Sequence, residues 1–340
     1  MKKALITGVT GMVGSHLADL LLKKRQWRIV GVCRWRSPID NIKHLIKFSE
    51  KKNPKIQFDY ADLNDYSSIL NILTKHKPNY IFHLAAQSFP KASFDIPSVT
   101  FDTNITGTYR LLDAVVKSNL NPVIHVCSSS EVFGRVSKNK LPINEDCSFH
   151  PASPYAISKV GTDLIARFFF EAYKLKVLTT RMFTHTGPRR TDFFAESSFA
   201  KQIAMIEKYK KNKKNKIVYV GNLKSLRTIA DVRDAVRAYY LLVTKKPKFG
   251  EVYNIGGNKT LTVGEMLKYL ISLSPQKNKI KIKIDKNRLR PIDADLQVPD
   301  VSKFKFHTGW KPKIDYKKTL KDLLNYWREK VKNEGMFFKR

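Results

Sequence analysis

Tyr155 and Lys159 are four residues apart, in the string Tyr155-Ala156-Ile157-Ser158-Lys159. On a helix that spacing puts a phenol and an ammonium group on one face. The ammonium charge would favour the phenolate and lower the tyrosine pKa toward working pH, which suits a general base. Upstream, Ser128-Ser129-Ser130-Glu131 closes an apolar stretch that reads as a strand. That strand end would bring hydroxyls and a carboxylate to the mouth where Tyr155 stands.

A second constellation opens the chain. An apolar strand runs into Gly8-Val9-Thr10-Gly11-Met12-Val13-Gly14, and an amphipathic helix follows. Glycines at this spacing permit a tight turn and close approach of backbone to a pyrophosphate, with the helix N-terminus aimed at the phosphates. Gly8, Thr10, Gly11, Met12, Val13 and Gly14 are therefore the expected dinucleotide contacts. The second strand ends in Cys33-Arg34-Trp35-Arg36-Ser37, without a carboxylate for a ribose 2′-hydroxyl. A guanidinium suits a 2′-phosphate, so Arg34 points to NADP, with NAD as the alternative. Asp62 and Leu63 follow the third strand and are placed for an adenine contact. Leu84, Ala85 and Ala86 follow the fourth, where small residues let the backbone lie against the cofactor. Gln87, Ser88 and Ser130 are expected to face the substrate.

These residues need strands to carry them to one edge, and the chain supplies an alternation. Strands are predicted at Ala4–Thr7, Arg28–Cys33, Ile56–Asp59, Tyr80–Leu84, Val123–Cys127 and Lys176–Arg181. Helices are predicted at Val13–Lys24, Tyr66–Lys75, Val99–Lys117 and Ser158–Tyr173. Repeated β–α alternation implies an α/β fold, a doubly wound parallel Rossmann sheet covered on both faces, binding ligands at the carboxyl ends of its strands. After Thr186 the pattern loosens. A passage from Asp231–Val243 to Val252–Ile255 reads as a return to the sheet. The expected organisation is a dinucleotide-binding domain over 1–185, with a returning segment near 228–256. The remainder of 186–340 would form a smaller mixed lobe for the substrate.

Composition narrows the classes. The chain has 340 residues, 42% of them hydrophobic, enough for one large or two moderate domains. Its apolar runs are too short to span a bilayer, and the apolar start is too short for a signal peptide. The expectation is a cytoplasmic protein without membrane association. Three scattered cysteines give neither a disulfide framework nor a zinc site, and the eight histidines show no metal-ligand spacing. The net charge of +34 comes from lysines spread along the chain. Only 208–216 is a dense basic run. No nucleic-acid-binding signature accompanies it, so a solvated lysine-rich surface is expected and nucleic acid is not an expected partner.

Taken in order, the glycine turn, Leu84-Ala85-Ala86-Gln87, Ser129-Ser130-Glu131 and Tyr155-x-x-x-Lys159 resemble the extended short-chain dehydrogenase/reductase superfamily. Within it the chain is similar to the GDP-mannose 4,6-dehydratases and the GDP-4-keto-6-deoxymannose reductases. The supporting strings include Ser153-Pro154-Tyr155, Pro188-Arg189-Arg190, Gly221-Asn222-Leu223, Leu289-Arg290-Pro291 and Gly309-Trp310-Lys311-Pro312. The resemblance implies a GDP-sugar substrate and a homodimer or homotetramer. It also implies a catalytic set in which Tyr155 and Lys159 serve oxidation at C4, Ser129 binds the C4 oxygen and Glu131 is the base at C5. A reductase or a 4-epimerase of the same fold is the alternative. His185 is expected at the nicotinamide or its ribose. Arg190, Arg227 and Arg290 are the candidates for neutralising phosphates, Arg190 on the cofactor side. Departures from the dehydratase pattern stand at Ser129, Thr184 and Thr191-Asp192-Phe193-Phe194-Ala195-Glu196. Phe199-Ala200-Lys201-Gln202-Ile203 and Val232-Arg233-Asp234 look more like the reductase branch. Phe168-Phe169-Phe170 is expected in the core or at a subunit-packing face.

Overall fold

A computed structural model describes residues 1–209, 216–292 and 294–333. The central part of the basic run, 210–215, lies outside them. In chain order the strands are β1 (Lys2–Thr7), β2 (Trp27–Cys33), β3 (Ile56–Tyr60), β4 (Tyr80–His83), β5 (Val123–Cys127), β6 (Lys176–Met182), β7 (His185–Thr186), β8 (Ile217–Val220), β9 (Leu226–Asp231), β10 (Val252–Ile255), β11 (Lys259–Thr262), β12 (Lys281–Ile284) and β13 (Leu296–Gln297). The helices are α1 (Met12–Leu22), α2 (Lys43–Ser49), α3 (Tyr66–His76), α4 (Ala92–Asp95), α5 (Pro97–Phe101), α6 (Gly107–Lys117), α7 (Pro154–Tyr173), α8 (Ala195–Lys208), α9 (Val232–Thr244), α10 (Val263–Ser272), α11 (Ser302–Thr308) and α12 (Tyr316–Asn333).

Seven strands form a parallel sheet in the order β10-β6-β5-β4-β1-β2-β3. Successive strand residues enter opposite apolar layers, as the period of two requires. Ala4, Ile6, Ile29, Phe82 and Leu178 pack with α1 and α9. Leu5, Val30, Ile81, Ile124 and Val177 pack with α3, α6 and α7. Both faces are thus covered, which is why these strands read as near-continuous apolar runs. The strand order reverses between β1 and β4, and a ligand crevice opens at the carboxyl ends there.

The second lobe has its own core of Phe199, Ile203, Val218, Ile229, Leu267, Leu320 and Leu324, drawn from α8, β8, β9, α10 and α12. Its strands are β11-β9-β13, with β7 pairing β9, and a separate β12-β8 pair.

Two helices differ from the sequence expectation. α7 begins at Pro154 rather than Ser158, because Ser153 accepts the Ala156 N–H at 3.0 Å and Pro154 takes the first helical position. The helix expected over Val99–Lys117 is interrupted by a π-helical turn, Asp102–Thr106, between α5 and α6. Of Phe168-Phe169-Phe170, Phe169 is buried and Phe168 is exposed.

Candidate active site

The glycine turn is built by close packing. Gly8 has φ +71°, and a Cβ there would fall 2.8 Å from the Ala85 nitrogen. A Cβ on Gly14 would meet the Gly8 carbonyl oxygen at 2.3 Å. Gly11 sits at the N-cap of α1 and offers no side-chain cap, whereas Asp65, Ser153, Asp231 and Thr262 cap their own helices. The first N–H groups of α1 therefore face the cleft without a side-chain acceptor, the arrangement that suits a phosphate. Thr7 ties the strand ends together: its Oγ1 accepts the Leu84 and Ala85 N–H groups at 3.1 Å each.

A cleft of about 1170 Å³ runs from this turn to the second lobe. Of the expected site residues, Gly8, Thr10, Gly11, Met12, Val13, Gly14, Leu84, Ala86, Ser88, Ser129, Ser130, Glu131, Tyr155, Lys159, His185, Arg190, Arg227 and Arg290 line it.

Five expected contacts stand outside the lining. Arg34 is exposed beyond the end of β2, and the cleft receives Pro38, Asp40 and Asn41 instead. Asn41 draws that loop inward by donating to the Thr10 carbonyl at 3.0 Å. Asp62 accepts the Asn64 N–H at 3.0 Å and serves its own turn. Leu63 is buried in the core against Gly107. Ala85 packs against Gly8 from behind. Gln87 braces its loop, donating to the Phe89 carbonyl at 3.2 Å and accepting the Phe89 N–H at 2.9 Å.

At the catalytic centre Ser129 and Tyr155 line the cleft together, and Ser129 accepts the Glu131 N–H at 3.2 Å. Lys159 donates to the Cys127 carbonyl at 2.7 Å. Burial pushes the Tyr155 phenol above its ordinary value. Ser129 and the Arg190 charge oppose that shift, while Cys127 and Glu131 reinforce it. The lysine is itself desolvated, its pKa lowered by burial. The opposing cation at Tyr155 is Arg190.

Arg190 lies over the Phe194 ring at 3.3 Å, with its Nε 3.6 Å from Glu196. Burial and the Arg190 charge hold His185 down to about 4, so its imidazole is neutral near pH 7. Glu131 faces the second lobe, where Arg290 Nη1 stands 3.9 Å away. Arg290 is thus beside the candidate base as well as in the cleft.

Several cleft residues escaped the sequence reading. Arg288, Asp285 and Asn287 come from the turn after β12. Arg288 donates to Ser198 at 3.0 Å. Asn104, on the π-helical turn, clamps the site from behind. Its amide donates to the Gln87 carbonyl at 2.9 Å and to Ser158 at 2.8 Å, and its carbonyl accepts the Gln87 N–H at 2.8 Å. The signal for Asn104 was a polar residue where an uninterrupted amphipathic helix should have carried an apolar one. Among the described residues no group of three His, Cys, Asp or Glu side chains could hold a metal ion.

Known proteins resemble the chain over nearly its whole length. A family model described as GDP-mannose 4,6 dehydratase matches residues 5–323. The chain is similar to GDP-mannose 4,6 dehydratase 1 of Arabidopsis thaliana, 32% identical across 98% of this chain and 91% of that protein. It is 30% identical to GDP-mannose 4,6 dehydratase of Homo sapiens, across 95% of this chain and 90% of that protein. Among solved structures, RMD of Pseudomonas aeruginosa, complexed with NADPH, has a TM-score of 0.79 at 26% identity, covering 97% of this chain and 100% of that one. A UDP-glucose 4-epimerase of Thermotoga maritima, with UDP-glucose, has a TM-score of 0.83 at 26% identity, covering 97% and 99%.

Proposed function

The chain belongs to the GDP-mannose 4,6-dehydratase family, and we propose that it converts GDP-mannose, or a closely related GDP-hexose, to the 4-keto-6-deoxy sugar with a resident NADP. The observation that carries this reading is the carboxylate of Glu131 in the same cleft as the Ser129–Tyr155 pair. Oxidation at C4 alone needs no such group.

A nicotinamide dinucleotide fits the glycine turn, where any Cβ on Gly8 or Gly14 would collide with backbone and α1 presents uncapped N–H groups. Gly8, Gly11, Met12, Val13 and Gly14 would hold the pyrophosphate. When bound, the cofactor supplies a hydride acceptor for C4 and a hydride donor for C6.

The chain's own groups handle the protons. Tyr155 takes the proton of the C4 hydroxyl, and Ser129 hydrogen-bonds the same oxygen. Arg190 favours the phenolate that this requires. Once C4 is a carbonyl, the C5 proton is acidic. Glu131 removes it and passes it to the departing C6 hydroxyl, which leaves as water. The proton taken from the C4 hydroxyl balances the one restored at C5. Arg227, Arg288 and Arg290 line the second-lobe end of the cleft and suit a nucleotide diphosphate by bidentate contact.

A second reading, NADPH-dependent reduction of a 4-keto sugar, draws on Phe199–Ile203 and Val232-Arg233-Asp234, which resemble the reductase branch. Mass spectrometry separates the two. GDP-mannose incubated with the protein and catalytic NADP⁺ should lose one water with no net NADPH formed. An unchanged mass, together with stoichiometric NADPH consumption on a 4-keto sugar, would give the reductase.

We further place the enzyme in the cytoplasm as a homodimer or homotetramer. Three free cysteines suit a reducing compartment. Among the described residues no helix is long and apolar enough to cross a membrane. Ile157, Leu164 and Phe168 form an exposed apolar stripe on α7 that suits a subunit contact.

A further inference from the structure

We propose that Phe89 and Phe193 form an aromatic roof over the sugar subsite, and that Phe193 is a specificity-determining contact for the apolar face of the hexose ring. The inference rests on the GDP-sugar reading above and names the part of the cleft that would recognise the sugar rather than the nucleotide.

The roof follows from the topology. β4 and β6 flank β5 in the sheet. The segment after β4 carries Phe89, and the segment after β6 and β7 carries Phe193 and Phe194. Both segments line the cleft that also receives Ser129 and Glu131. Phe89 stacks on Phe193 with ring centroids 5.2 Å apart and an interplanar angle of 27°, and meets Phe194 edge-on at 5.7 Å. Arg190 anchors Phe194 from beneath. The Phe89 segment is tied to the catalytic tyrosine: Ser93 Oγ donates to the Pro90 carbonyl at 2.6 Å and accepts the Tyr155 N–H at 3.0 Å. A shift of the roof would therefore be felt at Tyr155.

All three rings line the cleft, yet Phe193 is 65% exposed. An aromatic face left open inside a cleft is available to the apolar side of a ligand. The same cleft is lined by the polar Ser88, Ser129, Ser130 and Glu131. A hexose has a rim of hydroxyls and a face of C–H groups, and it suits a cleft with both kinds of lining.

The test compares the affinities of GDP and GDP-mannose by calorimetry for the NADPH-loaded protein, which cannot oxidise C4. The wild type should bind GDP-mannose more tightly than GDP. Phe193→Ala should lose about tenfold in GDP-mannose affinity, the size of one aromatic contact, and leave GDP binding unchanged. Phe193→Tyr, which keeps the ring, should restore the difference. Because Phe193 is exposed, both variants should melt like the wild type. The proposal is overturned if Phe193→Ala weakens both ligands equally, weakens neither, or if the wild type does not distinguish them. A wild type that shows the sugar-dependent difference but releases no water when given NADP⁺ would sink the dehydratase reading and leave the roof standing.

Discussion

The two sides of the cleft offer a phosphate different things. At the Gly8–Gly14 turn the groups are peptide N–H groups at the start of α1, fixed by backbone that no Cβ may enter. Across the cleft they are the guanidinium heads of Arg227, Arg288 and Arg290, carried on strands and turns of a lobe with a separate core. Peptide dipoles are part of the fold and carry no net charge. Guanidinium groups bring full charges that salt can screen. A resident cofactor suits the first arrangement, and a substrate that must enter and leave suits the second. The catalytic side chains stand between, just after β5 and on α7.

The largest effect should come from the chemistry between the two sides. Tyr155→Phe removes the proton acceptor and should lower turnover by about 10²- to 10⁴-fold, while NADP and GDP-mannose affinities stay within a few-fold. Loss of either affinity would mean that Tyr155 belongs to one binding wall.

Next, Gly14→Ala places a methyl against the Gly8 carbonyl and should cost about 1–3 kcal/mol of stability by overpacking. NADP should rescue the melting temperature less than in the wild type, and GDP should rescue it as before. Equal rescue by both ligands would erase the distinction between the sides.

A smaller effect is expected across the cleft. Arg227→Ala or Arg288→Ala should raise the KM for the GDP-sugar about tenfold at low salt, and the gap should narrow as salt is added. NADP affinity should be unaffected.

How much of this was legible depended on what each residue answers to. Val123–Cys127 and Val252–Ile255 could be bounded from sequence because strands buried on both faces are nearly continuous apolar runs, interrupted here by His125 and Asn254. The glycine turn was legible because its spacing is a backbone requirement. Arg34 was assigned to the cleft by its position after β2, but the loop turns inward only at Asn41 and brings Asp40 to the rim. Gln87 and Leu63 follow strands as expected, yet one is spent on its own loop and the other on the core. Arg288 sits on a short turn after β12, and only the pairing of that strand with β8 delivers it. The π-helical turn at Asn104 shows in the sequence only as a polar residue on the buried face of the helix, which does not reveal the wider turn.

A pH dependence also separates the regions. His16, His83 and His125 lie on α1, β4 and β5, and burial holds their pKa values down to about 4, about 3 and about 3 from 6.5. Below pH 6.5 the unfolded chain takes up protons that these native imidazoles refuse. Stability contributed by their neutral burial is full above that value and falls toward about pH 4, by up to about 1.4 kcal/mol per pH unit for each. In the second lobe, burial works against Asp322, but hydrogen bonds from Arg233 and Lys318 hold its pKa below the ordinary carboxylate value, so its contribution is lost only at lower pH. Hydrogen exchange across this window should show α1, β4 and β5 losing protection before α8 and α12. Simultaneous loss would mean that the lobes unfold as one unit.

The central claim is that oxidation at C4 and reduction at C6 occur within one visit to this cleft. GDP-mannose carrying deuterium at C4, turned over with unlabelled catalytic NADP⁺, should yield a 4-keto product with deuterium at C6 and no net NADPH. Deuterium appearing in free NADPH, or a product that keeps its C6 hydroxyl, would contradict the account.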